Sequence, residues 1–266
     1  MESHIHMHDD VQRLPADRLR VKVAVITGGA RGIGVATAKL FAENGANDVT
    51  ANILDNMGSS LAESIGGRYI RCDVANEADA ESAINPALAW KGKLDIMFNN
   101  AGICPNWSIT NLDMEKAKHL FSVNVNGNLH GIKHAARAMI ESRNGGSIMR
   151  TASSAAIMGA LGSHAYTLSK GAIVGLMKST ACELGVYGIR GNCISPHGVP
   201  SEMLFSAYRR ILGKEDMKPE EVGKIVGERE AALFLANEES GFITAHNLVI
   251  DGGYTFANSN MAFIYR

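Results

Sequence analysis

Short apolar runs alternate with longer amphipathic segments along most of the chain. The first run, at 21–27, is rich in β-branched side chains, and residues 32–46 then place apolar side chains at helical spacing. The alternation recurs and gives seven predicted strands, at 21–27, 48–54, 68–74, 93–100, 146–152, 188–195 and 246–253. Because strands that are joined by helices run parallel, the pattern predicts an α/β fold with a doubly wound, seven-stranded parallel sheet.

The chain shows no internal repeat, low-complexity tract or linker. We therefore predict a single domain over residues 21–256, with a flexible N-terminal tail at 1–20 and a C-terminal tail at 257–266. The first tail carries His4, His6 and His8, and alternate histidines suit a metal only in an extended segment. We interpret them as part of a frayed polar tail and predict no metal site.

Composition and charge exclude several classes of function. Hydrophobic residues make up 46% of the 266 residues and charged residues 20%, which is typical of a soluble globular protein. A formal net charge of −1 gives no electrostatic reason to expect nucleic acid or an anionic membrane as a partner. No apolar run reaches membrane-spanning length, no signal peptide is recognisable, and the four cysteines lack C-x-x-C spacing. We therefore predict a cytoplasmic protein with reduced thiols.

The first predicted strand ends in the glycine-rich sequence TGGARGIG, at 27–34. Glycines at positions 28, 32 and 34 let the backbone turn sharply and approach a ligand closely. The helix that follows begins with free N–H groups, which favour an anion such as a phosphate. A glycine turn between a buried strand and a helix predicts a dinucleotide site, although a purely structural tight turn has the same sequence requirements.

The segment 151–170 contains the strongest candidate for acid–base chemistry. Tyr166 and Lys170 are four residues apart in a predicted helix, so both side chains project from one face. A phenol has an ordinary pKa near 10, and we expect an ammonium one turn away to bring that pKa toward working pH. Ser153 adds a hydroxyl that can donate to an oxygen that gains negative charge. This combination predicts proton transfer to and from a carbinol oxygen.

The motifs together resemble one family. T-G-x-x-x-G-x-G at 27–34, N-N-A-G at 99–102, the Ser153, Tyr166 and Lys170 set, and D-G-G at 251–253 resemble the classical short-chain dehydrogenases/reductases, whose fold is Rossmann-type. Segments such as FNNAG and NCISPHGVP are most similar to the plant secondary-metabolism branch, which includes secoisolariciresinol, xanthoxin, isopiperitenol and borneol dehydrogenases. The resemblance implies NAD(P)-dependent oxidation of a hydrophobic secondary alcohol by a homotetramer.

The resemblance also implies roles for individual residues. The family's catalytic Ser, Tyr and Lys fall on Ser153, Tyr166 and Lys170, and its catalytic Asn, which supports a proton-conducting water, falls on Asn124. Ser154 is a rival to Ser153, but the family's spacing selects Ser153. The residues that the resemblance places around the cofactor, besides Tyr166 and Lys170, are Gly28, Arg31, Gly32, Ile33, Gly34, Asn52, Asp73, Val74, Asn100, Ala101, Gly102, Pro196, Val199 and Ser201.

The choice between NAD and NADP depends on the end of the second strand. The family's NAD-selecting Asp is replaced there by Asn52, which can bond ribose hydroxyls but does not repel a 2′-phosphate. Arg31 in the glycine turn could attract such a phosphate, and Asp55 lies in the wrong register to replace the missing carboxylate. The branch resemblance favours NAD, and NADP remains possible.

The predicted substrate pocket is free of charged residues, which fits a compact apolar alcohol better than a sugar or an acid, although each of its apolar residues could equally belong to the core. Its candidate walls are Ile103, Cys104, Pro105, Ala155, Ile157, Met158, His197, Met203 and Leu204. His197 stands where the family has glycine, and it is either a substrate contact or an inert loop residue. The segment at about 197–232, which covers the substrate in the family, is shorter here, so the pocket is expected to be more open.

Within the branch, the best candidate substrate is a cyclic monoterpenoid alcohol such as borneol. Lignan, xanthoxin-like and steroid-like alcohols are alternatives, as is carbonyl reduction with NADPH. A non-catalytic NAD-binding regulator is a third hypothesis, although it would be expected to have lost Tyr166 or Lys170. Two further departures from the family, Ala245 in place of Gly and Gly191 in place of a β-branched residue, are expected to cost stability locally.

Overall fold

The computed structural model describes residues 17–105, 107–159, 161–199 and 227–255. The strands are β1 Val23–Thr27, β2 Asn47–Asn52, β3 Arg68–Arg71, β4 Ile96–Asn99, β5 Gly146–Thr151, β6 Ile189–Pro196 and β7 Asn247–Ile250. The α-helices are α1 Gly32–Glu43, α2 Asp55–Ser64, α3 Glu77–Ser82, α4 Asn85–Lys91, α5 Met114–Phe121, α6 Gly127–Ser142, α7 His164–Leu184 and α8 Gly227–Ala236.

All the strands form one parallel sheet in the order β3-β2-β1-β4-β5-β6-β7. The predicted seven-stranded, doubly wound sheet is confirmed, including its Rossmann-type order. The order in which the chain adds strands reverses between β1 and β4, since β2 and β3 lie on one side of β1 and β4 to β7 lie on the other, so the loops after β1 and β4 diverge to opposite sides. The crevice between such loops is where open α/β sheets bind ligands.

Two apolar layers cover the faces of the sheet. On one face α1 and α8 pack through side chains such as Phe41 and Leu235 against Ile26 and Phe98. On the other face α4, α6 and the end of α7 pack around Val25, and α6 contributes more residues to that cluster than any other element. Because alternate residues of each strand enter opposite layers, the strands read as nearly continuous apolar runs.

Two boundaries differ from the prediction. The alternation of runs predicts one helical segment between the third and fourth strands, to about Trp90, but the structure divides it into α3 and α4. Pro86, which lacks an N–H, occupies the first turn of α4. The folded domain also begins earlier than residue 21: Leu19 is fully buried, and its N–H donates to the Asn44 carbonyl at 2.9 Å. Residues 17–20 therefore belong to the domain rather than to the predicted tail. The predicted tail histidines and the C-terminal tail at 257–266 lie outside the described residues.

The departures at positions 191 and 245 have different structural consequences. Ala245 has a φ of +56°, a left-handed conformation that favours glycine, so the expected local cost is explained. Gly191 instead lies next to the side chain of Arg150. This guanidinium is fully buried, and its Nη2 donates to Thr180 Oγ1 at 2.6 Å. A Cβ on Gly191 would lie 3.3 Å from the Ala181 Cβ and 3.5 Å from Arg150 Nη1. Gly191 thus provides space for a large buried cation, which the sequence alone did not indicate.

Candidate active site

A cavity of about 1500 Å³ opens at the carboxyl ends of the strands. Its wall on one side is the glycine-rich turn between β1 and α1, together with residues that follow β2 and β3. On the other side the wall is formed by residues that follow β4, β5 and β6 and by the start of α7. The cavity therefore occupies the crevice that the sheet topology predicts.

Helix α7 brings Tyr166 and Lys170 to the floor of this cavity. The helix is capped by Ser163, whose hydroxyl accepts from the Tyr166 N–H at 3.4 Å, so Tyr166 lies in the first turn and Lys170 in the second. Both side chains are buried. Lys170 Nζ lies 5.5 Å from the centre of the Tyr166 ring and donates to the Thr151 carbonyl at 2.7 Å. The predicted pairing on one helical face is confirmed.

Ser153 and Ser154 follow β5 and turn in different directions. Ser153 caps a short 3-10 helix, Ser154–Ala156, and its Oγ accepts from the Ala155 N–H at 3.1 Å. The Ser154 hydroxyl is bonded to the His197 ring, with 2.9 Å between Oγ and Nδ1. Both serines line the cavity. The rival hydroxyl is thus engaged by His197, which follows β6, whereas the Ser153 side chain is hydrogen-bonded to that of Tyr166.

Asn124 lies in a π-helical turn, Ser122–Asn126, between α5 and α6. Its Oδ1 accepts from the Ile103 N–H at 2.9 Å, and its Nδ2 donates to the Ile103 carbonyl at 3.0 Å. The same Nδ2 also donates to Ser169 Oγ at 3.0 Å, and Ser169 is the neighbour of Lys170 on α7. Asn124 therefore joins the strand end after β4 to the helix that carries the tyrosine and the lysine.

Burial sets the protonation states of this pair. Removal from water raises the pKa of the Tyr166 phenol far above its usual range, and the nearby Cys104 thiol raises it further, whereas Ser153 lowers it. Burial lowers the pKa of the Lys170 ammonium to about 8. The lowering of the Tyr166 pKa that we expected from Lys170 is thus opposed by burial, which raises this pKa. The reason is that desolvation acts on both groups and favours their neutral forms.

The glycine-rich turn is built for close contact with a ligand and with its neighbours. Gly28 has a φ of +66°, and a Cβ there would lie 2.9 Å from the Ala101 Cα. A Cβ on Gly34 would lie 2.3 Å from the Gly28 carbonyl oxygen, so no side chain fits at either position. Asn100 braces the turn, because its Nδ2 donates to the carbonyls of Thr27 and Gly28 at 3.2 and 3.3 Å. The N-N-A-G motif thus also supports the glycine-rich turn.

The residues present fit a nicotinamide dinucleotide. Helix α1 begins at this turn with no side-chain cap at Arg31 and no acidic residue in its first turn, so its N-terminal N–H groups are suited to a phosphate. The backbone of Gly102 lies close to two side chains of the candidate site, as expected of a glycine that lines a cofactor. A Cβ on Gly102 would lie 3.3 Å from Asn124 Oδ1 and 3.5 Å from Lys170 Nζ. Of the predicted cofactor residues, those that line the cavity are Gly28, Arg31, Gly32, Ile33, Asn52, Asp73, Val74, Asn100, Ala101, Gly102, Tyr166, Lys170, Pro196 and Val199. Gly34 does not line the cavity and instead packs against the Gly28 carbonyl. Ser201 lies outside the described residues.

The end of β2 explains why Asp55 does not replace the missing NAD-selecting carboxylate. Its oxygens face β3, where Arg71 Nη1 and the Tyr69 hydroxyl donate to them at 2.8 and 2.7 Å. Asn52 lines the cavity, and its Oδ1 accepts from the Leu54 N–H at 3.0 Å. Asp73 is exposed at the end of β3, and its Oδ1 accepts from the Ala75 N–H at 3.0 Å. The neighbouring helix α3 is capped by Asn76, not by Asp73.

The substrate side of the cavity differs in part from the predicted pocket. Ile103, Cys104 and His197 line it, whereas Ala155 is packed in a buried cluster with Tyr166. Ile157 and Met158 are exposed, at 39% and 42%, and do not line the cavity. Met203 and Leu204 lie outside the described residues, as does most of the segment 197–232. The lining residues that sequence reasoning missed include His119, Val123, Leu161, Gly162 and Ser163.

Leu161, Gly162 and Ser163 could have been predicted as wall residues, because they lie between Ser153 and Tyr166 in the sequence. Both catalytic candidates flank them in the sequence, so the connecting segment must pass beside the cavity. His119 and Val123 carried no such signal, since they lie on α5 and in the π-helical turn.

The sheet topology and the glycine-lined cavity define a Rossmann-type α/β protein with a cavity suited to a dinucleotide. A family model described as Enoyl-(Acyl carrier protein) reductase matches residues 28–255. Short-chain dehydrogenase reductase ATA1 of Arabidopsis thaliana is 57% identical, over 94% of this chain and 98% of that protein. Secoisolariciresinol dehydrogenase of Forsythia intermedia is 44% identical, over 92% of each chain. A short-chain type dehydrogenase/reductase from Mycobacterium marinum, 31% identical, superposes with a TM-score of 0.79 over 90% of this chain and 97% of that one.

The chain belongs to the short-chain dehydrogenase/reductase family, in its plant secondary-metabolism branch. It is accordingly an oxidoreductase of the short-chain alcohol dehydrogenase type that uses a nicotinamide cofactor and a small-molecule substrate. In the part of the chain that the structure describes, no helix is both long and apolar enough to cross a bilayer. The same residues contain no group of three or more side chains that could hold a metal ion.

Proposed function

We propose that this enzyme oxidises a hydrophobic secondary alcohol to a ketone with NAD as cofactor. The observation that carries the proposal is the position of Ser153, Tyr166 and Lys170 on one wall of a cavity whose other wall is a glycine-rich turn. Ser153 donates to the carbinol oxygen and orients it, and Tyr166 accepts the hydroxyl proton. A bound, oxidised nicotinamide nucleotide supplies the ring that accepts hydride, and its positive charge favours the phenolate.

Lys170 and Asn124 complete the proposed catalytic set. Lys170 carries a proton that can be released at mildly alkaline pH, since burial lowers its pKa to about 8. Asn124, fixed by Ile103 and Ser169, supports a water that leads the proton from Lys170 to solvent. The expectation that Asn124 has this role comes from the family resemblance. The test is Asn124→Ala, which should lower turnover and leave the affinity for the cofactor nearly unchanged.

The choice of NAD rests on the branch resemblance and on the fit of Asn52 to ribose hydroxyls. NADPH-dependent carbonyl reduction is the second candidate, because no carboxylate replaces Asn52 and the Arg31 guanidinium lines the same end of the cavity. Calorimetric titration of the protein with NAD and with NADP distinguishes the two candidate cofactors. A dissociation constant for NADP well below that for NAD would overturn the choice of NAD.

The proposed substrate class follows from the cavity wall beside Tyr166. Ile103, Cys104 and Leu161 line this part, and the one acidic residue among the described lining residues, Asp73, lies at the nucleotide end. We therefore assign an uncharged, compact alcohol, with a cyclic monoterpenoid alcohol such as borneol as the best candidate. A screen of terpenoid, lignan, xanthoxin-like and steroid alcohols, monitored at 340 nm, tests this assignment. Turnover confined to lignans would move the substrate toward that of the relative named secoisolariciresinol dehydrogenase.

The screen also tests the non-catalytic alternative. A regulator built on this fold would bind the cofactor but produce no change at 340 nm with any alcohol. The retention of Tyr166 and Lys170, both buried and in contact range of the cavity, supports the enzyme instead.

A homotetramer is the proposed assembly. The outer face of α6 and α7 exposes Leu129 and Leu168, at 43% and 62%, beside a groove of about 510 Å³ between the two helices. Apolar surface of this kind is typical of an interface between subunits. Light scattering after size-exclusion chromatography should give four times the mass of the chain, and Leu168→Glu should reduce it. A monomeric mass for the wild type would contradict the proposal.

A further inference from the structure

Three side chains outside the proposed catalytic set form a continuous contact at the substrate wall. Ser154 Oγ and His197 Nδ1 are 2.9 Å apart, and the His197 ring stacks on the Tyr254 ring, with 4.0 Å between their centres and 16° between their planes. Ser154 is buried and His197 is half-buried. A histidine that is bonded on one edge and stacked on one face has little freedom to rotate.

The backbone fixes all three residues in place. Ser154 begins the 3-10 helix that Ser153 caps. The His197 N–H donates to the Ile250 carbonyl at 3.0 Å, which joins the ends of β6 and β7. Tyr254 is held by the D-G-G turn, because the Asp251 carboxylate accepts from the N–H groups of Gly253 and Thr255, each at 2.8 Å. The D-G-G motif thus orients the aromatic ring that supports His197.

His197 shares the cavity with the hydroxyl that we assign to the carbinol oxygen. It is bonded to Ser154, the chain neighbour of Ser153, and both serines line the cavity together with His197. Tyr254 does not line it. Ile103, Cys104 and Leu161 line the same cavity, so His197 offers a polar group beside apolar lining residues.

We propose that His197 is a specificity-determining residue, whose Nε2 atom hydrogen-bonds a second oxygen of the substrate. The inference rests on the proposed oxidation of a secondary alcohol in this cavity. Since Nδ1 is committed to Ser154, Nε2 is the ring nitrogen that we assign to the substrate. A site that presents a fixed polar group discriminates strongly against an analogue that lacks the matching oxygen, because the polar group is then buried without a partner.

The substrate class is therefore narrower than a simple terpenoid alcohol. It is a compact, uncharged ring system with one secondary hydroxyl at Ser153 and Tyr166 and a second oxygen, as hydroxyl, keto or lactone, that reaches His197. Ser154 and Tyr254 are positioning residues, since they act on the substrate through the imidazole.

The test compares borneol with a set of bornane diols that differ in the position of the second hydroxyl. For the wild type, we expect at least one diol to have a kcat/KM about tenfold above that of borneol, mainly through a lower KM. His197→Phe keeps a ring that can stack on Tyr254 and removes both nitrogens, so the ratio of diol to borneol should fall to near one. Ser154→Ala should lower the same ratio partly. His246→Gln, a histidine that does not line the cavity, is the matched control and should keep the ratio.

If His197→Phe lowers kcat/KM equally for the diol and for borneol, the role of His197 is merely structural and the inference is overturned. A wild type that shows no preference for any diol would overturn it as well. If the wild type oxidises no member of the set, the proposed function fails for this substrate class, and binding still decides the inference. In that case the shift in melting temperature with each compound, measured with cofactor present, should be larger for a diol than for borneol in the wild type but not in His197→Phe.

Discussion

Lys170 donates to the carbonyl of Thr151 at 2.7 Å rather than to the phenol one helical turn away. The ammonium is thereby fixed 5.5 Å from the centre of the Tyr166 ring. This arrangement uses the end of β5 to hold the lysine, and it leaves the phenol oxygen for Ser153 and the substrate. The effects of substituting Lys170 or Tyr166 on turnover and on stability should therefore be separable.

Tyr166→Phe should abolish alcohol oxidation, since it removes the proposed proton acceptor and leaves the ring in place. A positioned acid–base group contributes roughly 100- to 10,000-fold, so kcat should fall by at least that range. The affinity for NAD should stay within a few-fold of that of the wild type, because the glycine-rich turn is untouched. Steady-state kinetics and calorimetry measure both quantities. Retained turnover would refute the assignment of Tyr166.

The two directions of the reaction should depend on pH differently. Burial raises the pKa of the Tyr166 phenol, so the neutral phenol dominates at neutral pH. Oxidation requires the phenolate and should speed up as pH rises from 7 to about 10, whereas carbonyl reduction requires the phenol and should not. Initial rates with an alcohol and with its ketone across this range give the comparison. Parallel profiles for the two directions would argue against Tyr166 as the shared acid and base.

Lys170→Met should change how stability depends on pH. The folded pKa of Lys170, about 8, lies below its ordinary value of 10.5, so the ammonium destabilises the fold. This destabilisation is fully present below pH 8 and is lost as pH rises toward 10.5. The free energy of unfolding of the wild type, relative to that of the variant, should therefore rise by up to about 3 kcal/mol across that interval. Urea unfolding of both proteins at several pH values tests this, and parallel curves would contradict it.

Gly34→Ala should weaken cofactor binding at least tenfold, because the new Cβ would lie 2.3 Å from the Gly28 carbonyl and force the turn open. Gly175→Ala is the matched control: it adds the same methyl group on α7, where nothing lies within 4 Å. The control should bind the cofactor normally and gain up to about 1 kcal/mol in stability from helix propensity. Equal affinities for the cofactor in the two variants would show that the turn tolerates a side chain.

Ala245→Gly should stabilise the protein by about 1 kcal/mol, since Ala245 is held at a φ of +56°. Ala172→Gly, an exposed position inside α7, should destabilise it by a similar amount. Chemical denaturation of the two variants therefore gives shifts of opposite sign. A loss of stability in both would mean that the backbone at 245 is not strained.

The sheet was predictable because its information is local. Seven short apolar runs with helical segments between them leave few alternatives, and Rossmann-type order follows from how such units connect. The Ser153, Tyr166 and Lys170 set was also readable, since Tyr166 and Lys170 are separated by one helical turn. The break between α3 and α4 was missed although Pro86 marks it, because the apolar pattern continues across it.

Other features depend on contacts that spacing does not encode. The direction of the Tyr166 pKa shift follows from burial, which the Y-x-x-x-K pattern does not report. Ile157 and Met158 were predicted to be pocket walls because they are apolar and near Ser153 in the sequence, yet they are exposed to solvent. The contact between Ser154 and His197 joins residues 43 positions apart, and only the fold brings them together.

Thr151 and Asn100 link the two halves of the cavity. The Thr151 carbonyl holds Lys170, its hydroxyl donates to Asn100 Oδ1 at 3.0 Å, and the Asn100 amide supports Gly28. An engineer who reshapes the dinucleotide turn to exchange one coenzyme for another would thus also disturb the anchor of the lysine. Cofactor swaps in this scaffold should be selected on turnover as well as on affinity, with position 100 kept as asparagine.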